Sequence, residues 1–214
     1  MPSPLLAGAV VLLCARFEEF LKDVVSYALE RHGYSQPPLT LWDLPEKLQI
    51  QLISKNMAAA LQGNRHGSIR PPVERITEGV AAAKRFVNGV ISAEHAIDTG
   101  GNPGPETVAG LLKLVGVDAP WKKVADHLQT NYVAPTGHGL GLISMGHPEE
   151  RLRQIINLRN IVAHSGASIP ASPDEIRFNV DFLSQLSNSI YAVLKEQVGD
   201  FARSLGRVPA NWNP

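Results

Sequence analysis

Cysteine is almost missing from this chain: Cys14 stands alone among 214 residues. No disulfide framework can form, and a lone thiol inside an apolar helical run reads as a small buried hydrophobe. Net charge is missing as well, with 20 basic side chains balanced by 20 acidic ones. That balance excludes a nucleic-acid binder working by bulk charge, so any site for RNA is local and small. There is no apolar run of membrane-spanning length at the N-terminus either. The stretch from Leu5 to Ala15 falls short of the roughly 20 residues a membrane helix needs. It has no basic segment ahead of it and passes directly into Arg16, Glu18 and Glu19. It is read as the first turns of a core helix, and the chain is expected to be cytoplasmic, with no membrane contact.

What is present is helical periodicity. Leu13, Phe17, Phe20, Leu21, Val24 and Ala28 recur at spacings of three and four, predicting one helix from about Leu5 to Arg31 that ends at Gly33 and Pro37-Pro38. A helix or helix pair is expected over Leu41 to Gln62, turn chemistry over Asn64 to Pro72, and helix again from Pro72 to Asp98. Pro105 is placed to open a short helix through Leu111, Leu112 and Val115, and another is expected from Trp121 to Leu128. Gly137 to Gly146 is glycine-rich but lacks the spacing and the lysine of a phosphate-binding loop, so it is read as a connector. Pro148, Glu149 and Glu150 make a helix start, with acids at the positive end of the dipole. Ser172-Pro173-Asp174-Glu175 is a capping box opening a long last helix through Ile176, Val180, Leu183, Leu186, Ile190, Leu194, Val198 and Phe201. No repeat and no run of alternating strands is visible. The fold class is all-α: an up-and-down helical bundle with an irregular middle segment, forming a single domain over residues 1–205 followed by a short tail, 206–214.

Charge is unevenly spread. Residues 47–97 carry seven basic and three acidic side chains, net +4, whereas residues 1–46 carry three and six, net −3. A weak RNA-tracking surface would draw on Arg65, Arg70, Arg75, Lys84 and Arg85, together with Lys47 and Lys55; a solvated helix face explains the same residues.

The segment that carries chemistry is the expected helix from Pro148 to His164. Its apolar stripe is Leu152, Ile155, Ile156, Val162 and Ala163, and Arg159 sits within that stripe. A guanidinium there is costly without a buried partner or an interface to compensate it. Asn160 and His164, four apart, share an adjoining face, and Ser165-Gly166 closes the helix. The remaining histidines are less suited to catalysis. His32, His66, His138 and His147 fall in turns or at caps, His95 and His127 lie singly on helices, and none forms a metal-like pair in a recognisable motif, so no metal and no cofactor is expected. Trp42, Trp121 and Trp212 are read as core or tail anchors. Glu18 shares a face with Cys14, Leu21 and Val25, whereas Glu19 lies with Arg16, Lys22 and Asp23, so Glu18 is expected to point inward toward Arg159, either in support of the site or as a structural ion pair.

Arg159-Asn160-x-x-Ala163-His164 at the end of an amphipathic helix resembles the R-N-x-x-x-H signature of the HEPN superfamily. Ala15 to Leu21 (ARFEEFL) resembles the first-helix pattern of its RiboL-PSP group. Asn102 to Glu106 (NPGPE), followed by Leu111 to Val117 (LLKLVGV), is similar to that group's segment ahead of the catalytic helix. The likeness runs from about Leu5 to Leu205; Ser165 stands where many relatives have glycine directly after the histidine. It implies an all-α HEPN domain, and a homodimer that brings two Arg-His pairs into one cleft and cleaves RNA without metal, with Arg159, Asn160 and His164 as its catalytic residues. The expected role is that of a toxin or defence effector under an antitoxin or other regulatory partner protein. The alternative is a noncatalytic HEPN-like dimerisation module that binds a partner protein, RNA or a nucleotide.

Overall fold

The computed structural model describes residues 4–65, 68–93, 97–131, 147–165 and 172–212, without the side chains of Asn64, Arg65, Ser68, His164 and Ser165. Among them are seven α-helices: α1 (Pro4–His32), α2 (Glu46–Leu61), α3 (Pro72–Val87), α4 (Pro105–Leu114), α5 (Pro120–Asn131), α6 (Pro148–Ser165) and α7 (Pro173–Ser204). Six of the seven open on proline, whose fixed φ suits the first helical position and whose missing N–H would have no helical acceptor there. The other regular elements are a short 3-10 turn, Leu41–Asp43, and two residue pairs, β1 (Asn64–Arg65) and β2 (Ser68–Ile69), which face each other antiparallel. The architecture is all-α, as the periodicity predicts. No described helix is long and apolar enough to cross a membrane.

The capping box at α7 forms as expected. Ser172 Oγ accepts from the Glu175 N–H at 3.1 Å, and the Ser172 N–H donates to the Glu175 carboxylate at 3.2 Å. The Leu41–Gln62 segment resolves into the 3-10 turn and α2, divided by Pro45. α3 stops at Val87 instead of continuing to Asp98. Its end is a Schellman motif, with Gly89 at φ +73°, its N–H bonded to the Phe86 carbonyl, and the Val90 N–H bonded to the Arg85 carbonyl. The expected connector Gly137–Gly146 lies outside the described residues.

The chain divides into two compact units. The first takes in residues up to Val24, Thr99–Lys113 and Val117–Leu194, and so holds the start of α1, α4, α5, α6 and most of α7. Its core includes Leu111, Leu112, Val124, Leu152, Ile155, Phe182, Leu186 and Ile190. Val180, expected on the α7 apolar stripe, is exposed, and its neighbour Asn179 is buried in its place. The reason is polar: Asn179 Oδ1 accepts from the Arg151 guanidinium of α6 at 2.6 Å.

The second unit comprises Val25–Asp98, Leu114–Gly116 and Lys195–Pro214, apart from the undescribed residues. Leu29, Leu41, Leu48, Leu52, Ala82 and Phe86 lie in its core. Residues 206–212, expected as a tail, pack in this unit. Val208 and Gln36 exchange both backbone hydrogen bonds at 2.9 Å, and Trp212 is buried edge-on against Tyr27. Trp42, expected as an anchor, is instead largely exposed.

Candidate functional site at the end of α6

α6 carries Arg159, Asn160 and His164 on one continuous helix. Its apolar stripe is not buried evenly. Leu152, Ile155 and Ile156 lie in the core, whereas Val162 is half-buried and Ala163 exposed. Burial gives out where the sequence turns to Arg159 and Asn160, polar groups that are costly to enclose without compensation. Both side chains are half-buried, and the Arg159 guanidinium donates to Asn160 Oδ1 at 3.0 Å. Asn160 therefore steadies the arginine that precedes it. His164 lies one turn beyond Asn160, in the last turn of α6; its side chain is outside those described.

α1 supplies the surroundings. Cys14 and Glu18, four residues apart on one face, both feel the charge of Arg159. Cys14 is buried, and burial pushes its thiol up to about 11 against a partial opposing pull from Arg159, so it stays protonated at neutral pH. Burial also works to raise Glu18, whose side chain is only 16% exposed. Hydrogen bonds from Lys22 and Thr99, together with the charges of Lys22 and Arg159, outweigh it and hold this carboxylate below its ordinary range. Lys22 Nζ lies 2.7 Å from Glu18 Oε1, and Thr99 Oγ1 donates to the same oxygen. Glu19 points outward to an exposed ion pair with Arg16 at 2.6 Å.

Thr99 is a residue that sequence reasoning missed. Buried and 81 positions from Glu18, it pins the loop ahead of α4 to α1 and fixes the carboxylate that feels the charge of Arg159. Only its place between the Asp98 and Gly100 of a turn-rich segment hinted at a buried hydroxyl, and nothing local named its partner. On the same unit, Arg153 of α6 bonds Glu106 of α4 at 2.7 Å, tying the proline-glycine segment's helix to the signature helix.

The basic side chains of the second quarter differ in exposure: Lys47, Lys55 and Lys84 are exposed, whereas Arg70 is buried. Arg70, expected as a weak RNA contact, is 6% exposed and structural. Its guanidinium meets Glu78 at 2.6 Å and Glu74 at 3.2 Å and donates to the Ala60 carbonyl at 3.2 Å, satisfying the end of α2. Arg75 and Arg85 are half-buried and Lys84 is exposed; the Arg65 side chain is outside those described. Replacing Arg70 with methionine is therefore expected to lower stability by about 2 kcal/mol, the scale of a lost charged hydrogen bond to buried carbonyls. Denaturant unfolding checks this, and an unchanged midpoint with weakened RNA binding would return Arg70 to the surface role.

Of the other histidines, His32 is the last residue of α1, at the helix end as expected, and is buried. His127 Nδ1 lies 3.1 Å from Ser189 Oγ, His147 is exposed just before α6, and His66, His95 and His138 are outside the described residues. His127 and Ser189 border a cavity of about 320 Å³ between α5 and α7, also lined by Asn131, Asp181, Gln185 and Asn188. Among the described residues no group of three His, Cys, Asp or Glu side chains is placed to hold a metal ion.

No curated protein and no solved structure matches the chain. The RiboL-PSP-HEPN family model matches residues 2–196, a span that takes in the ARFEEFL segment, the proline-glycine segment and the whole of α6. A helix carrying Arg159, Asn160 and His164 at the signature spacing lies within that match, and the chain belongs to the RiboL-PSP-HEPN family.

Proposed function

We propose that this chain is a metal-independent endoribonuclease, a cytoplasmic toxin or defence effector that cuts RNA as a homodimer under the control of an antitoxin or other regulatory protein. The observation that carries the reading is Arg159, a half-buried guanidinium bonded to Asn160, whose charge acts on the Glu18 carboxylate, on a helix that is exposed again at Ile161 and Ala163. Such a group is preorganised to accept a phosphate in bidentate fashion.

RNA supplies its own nucleophile. The 2′-hydroxyl attacks the adjacent phosphorus, a base takes its proton, the bond to the 5′-oxygen breaks, and an acid protonates that leaving oxygen. The products are a 2′,3′-cyclic phosphate and a free 5′-hydroxyl. Histidine, with an ordinary pKa near 6.5, serves as either base or acid. One His164 per chain cannot begin as both, and two chains provide the pair. Leu5 and Leu12 on α1 and Ile161 on α6 are large apolar side chains left exposed in the unit that holds the signature, which suits a subunit interface there.

Cleavage is expected to persist in excess EDTA and to leave cyclic phosphate or 3′-phosphate ends, read by mass spectrometry of the fragments. Loss of activity on chelation with recovery in magnesium would overturn the mechanism. The alternative, a noncatalytic module, draws support from the cavity between α5 and α7, whose amides, two serine hydroxyls and single carboxylate suit the edges of a nucleoside. Saturable binding of nucleotide without turnover of RNA would favour it.

A further inference from the structure

The cavity between α5 and α7 is lined within one compact unit and is polar almost throughout. On α7, Asp181, Ser184 and Asn188 stand at spacings of three and four, so one stripe of the helix borders it. On α5, His127 and Asn131 are four apart, and Leu128 adds an aliphatic wall. The α5 side is fixed by hydrogen bonds. Ser189 is buried with its hydroxyl 3.1 Å from His127 Nδ1, and the Asn131 amide donates to the His127 carbonyl at 2.9 Å. Asp181 differs. Among the described residues no hydrogen bond or ion pair engages its carboxylate, and no lysine or arginine lines the cavity.

These features select a ligand. A carboxylate with both oxygens open takes two adjacent N–H donors, and charge-assisted bonds paired in that way are strong. Without a cation, the lining offers no counter-charge to a phosphate, so what it recognises is an uncharged group. A volume of about 320 Å³ lies near the lower end of the roughly 300–1,000 Å³ of ligand sites, which suits one nucleoside and not a dinucleotide. Of the four RNA bases, only guanine has two adjacent N–H donors on its Watson–Crick edge, N1–H and the 2-amino group. Adenine and cytosine place an amine beside a bare ring nitrogen, whose lone pair would oppose the second carboxylate oxygen. Uracil has a single N–H between two carbonyls. Ser184, Asn188 and the Asn131 side-chain oxygen are left for the rest of the nucleoside.

We infer that the α5–α7 cavity binds a guanine base, with the Asp181 carboxylate accepting from N1–H and the 2-amino group. This narrows the nucleoside reading of the cavity to one base and does not depend on RNA cleavage. The base belongs to free guanosine or to single-stranded RNA, where the same edge is open.

Calorimetric titration of the full chain with guanosine, and with inosine, which lacks only the 2-amino group, tests it. Guanosine is expected to saturate with a Kd below about 100 μM, ordinary for a ligand of its size. Inosine and adenosine should bind at least about 10-fold more weakly, the worth of a hydrogen bond to a charged group. Absence of guanosine binding, or equal affinity for inosine, would overturn the inference. Asp181→Asn should prefer xanthosine to guanosine, because its amide accepts from N1–H and donates to the 2-carbonyl of xanthine. A variant that keeps its affinity for guanosine, or loses it without gaining xanthosine, would overturn the role of the carboxylate. The guanosine and inosine comparison uses the wild-type chain, so it decides the matter even where the variant fails to fold. Oligouridine with and without one guanosine, titrated into His164→Ala, identifies the source of the base. Tighter binding of the guanosine-containing strand, relieved by free guanosine, supports a base site for RNA; equal binding of the two strands by a chain that takes guanosine supports a nucleoside site. Turnover of RNA by the wild type, present or absent, bears on the nuclease reading and leaves the calorimetric result standing.

Discussion

His164→Ala is expected to slow RNA cleavage at least about 100-fold, the lower end of what a positioned acid or base contributes, while leaving a folded protein of unchanged assembly that still binds RNA. The position supports that separation: His164 lies in the last turn of α6, beyond the buried part of the helix at Leu152, Ile155 and Ile156. Arg159→Lys is expected to be impaired too, because lysine keeps the charge but loses the planar fork that holds two phosphate oxygens and the bond to Asn160 Oδ1. If the three residues serve only to fix helix packing, His164→Ala should instead lower the melting temperature and weaken the dimer, with no cleavage to lose in the parent. Mixing inactive His164→Ala chains with inactive Arg159→Ala chains adds a geometric test. Recovered activity would place Arg159 of one chain with His164 of the other in a composite site. Failure to recover despite proven subunit exchange would argue against that arrangement.

Stability is expected to fall as pH drops from about 6.5 toward 4, and His32 is the cause. It is 1% exposed, packs edge-on against Phe201 at 5.4 Å, and has no hydrogen-bond partner among the described residues for either ring nitrogen. Burial holds its pKa down to about 4, against about 6.5 for an exposed imidazole. Between those values the unfolded chain binds a proton that the folded chain refuses, so stability rises with pH across that window. It is complete above about 6.5 and lost progressively below. The full difference corresponds to about 3 kcal/mol. The carboxylates of Glu18 and Asp43, held below their ordinary range, contribute stability that is lost only at more acidic pH. A His32→Leu variant should therefore show a flatter profile than the wild type between pH 6.5 and 4.5 in urea unfolding. Parallel profiles across that range would mean that His32 is protonated in the folded state or exposed.

What the sequence by itself determined are features closed within a few residues. The proline at the first position of α4, α6 and α7, the reciprocal bonds of Ser172 and Glu175, and the placing of Arg159, Asn160 and His164 on one helix each depend on neighbours three to five positions away. Such geometry is set by the helix itself. The choice of Glu18 over Glu19 as the inward carboxylate was legible for the same reason, since helical spacing sorts side chains by face. Periodicity says which residues share a face, however, and not what meets that face. α3 shows the difference: its two apolar faces look equally fit for a core, and packing against α2 covers only one. Arg70 turned from a surface cation into the cap of α2 because Glu74, Glu78 and the Ala60 carbonyl converge on it. Thr99 reached Glu18 across 81 residues, and Val208 and Trp212 drew the last residues into the second unit. Those outcomes belonged to the tertiary structure, because the desolvation cost of each buried polar group is offset only by a partner brought from far along the chain.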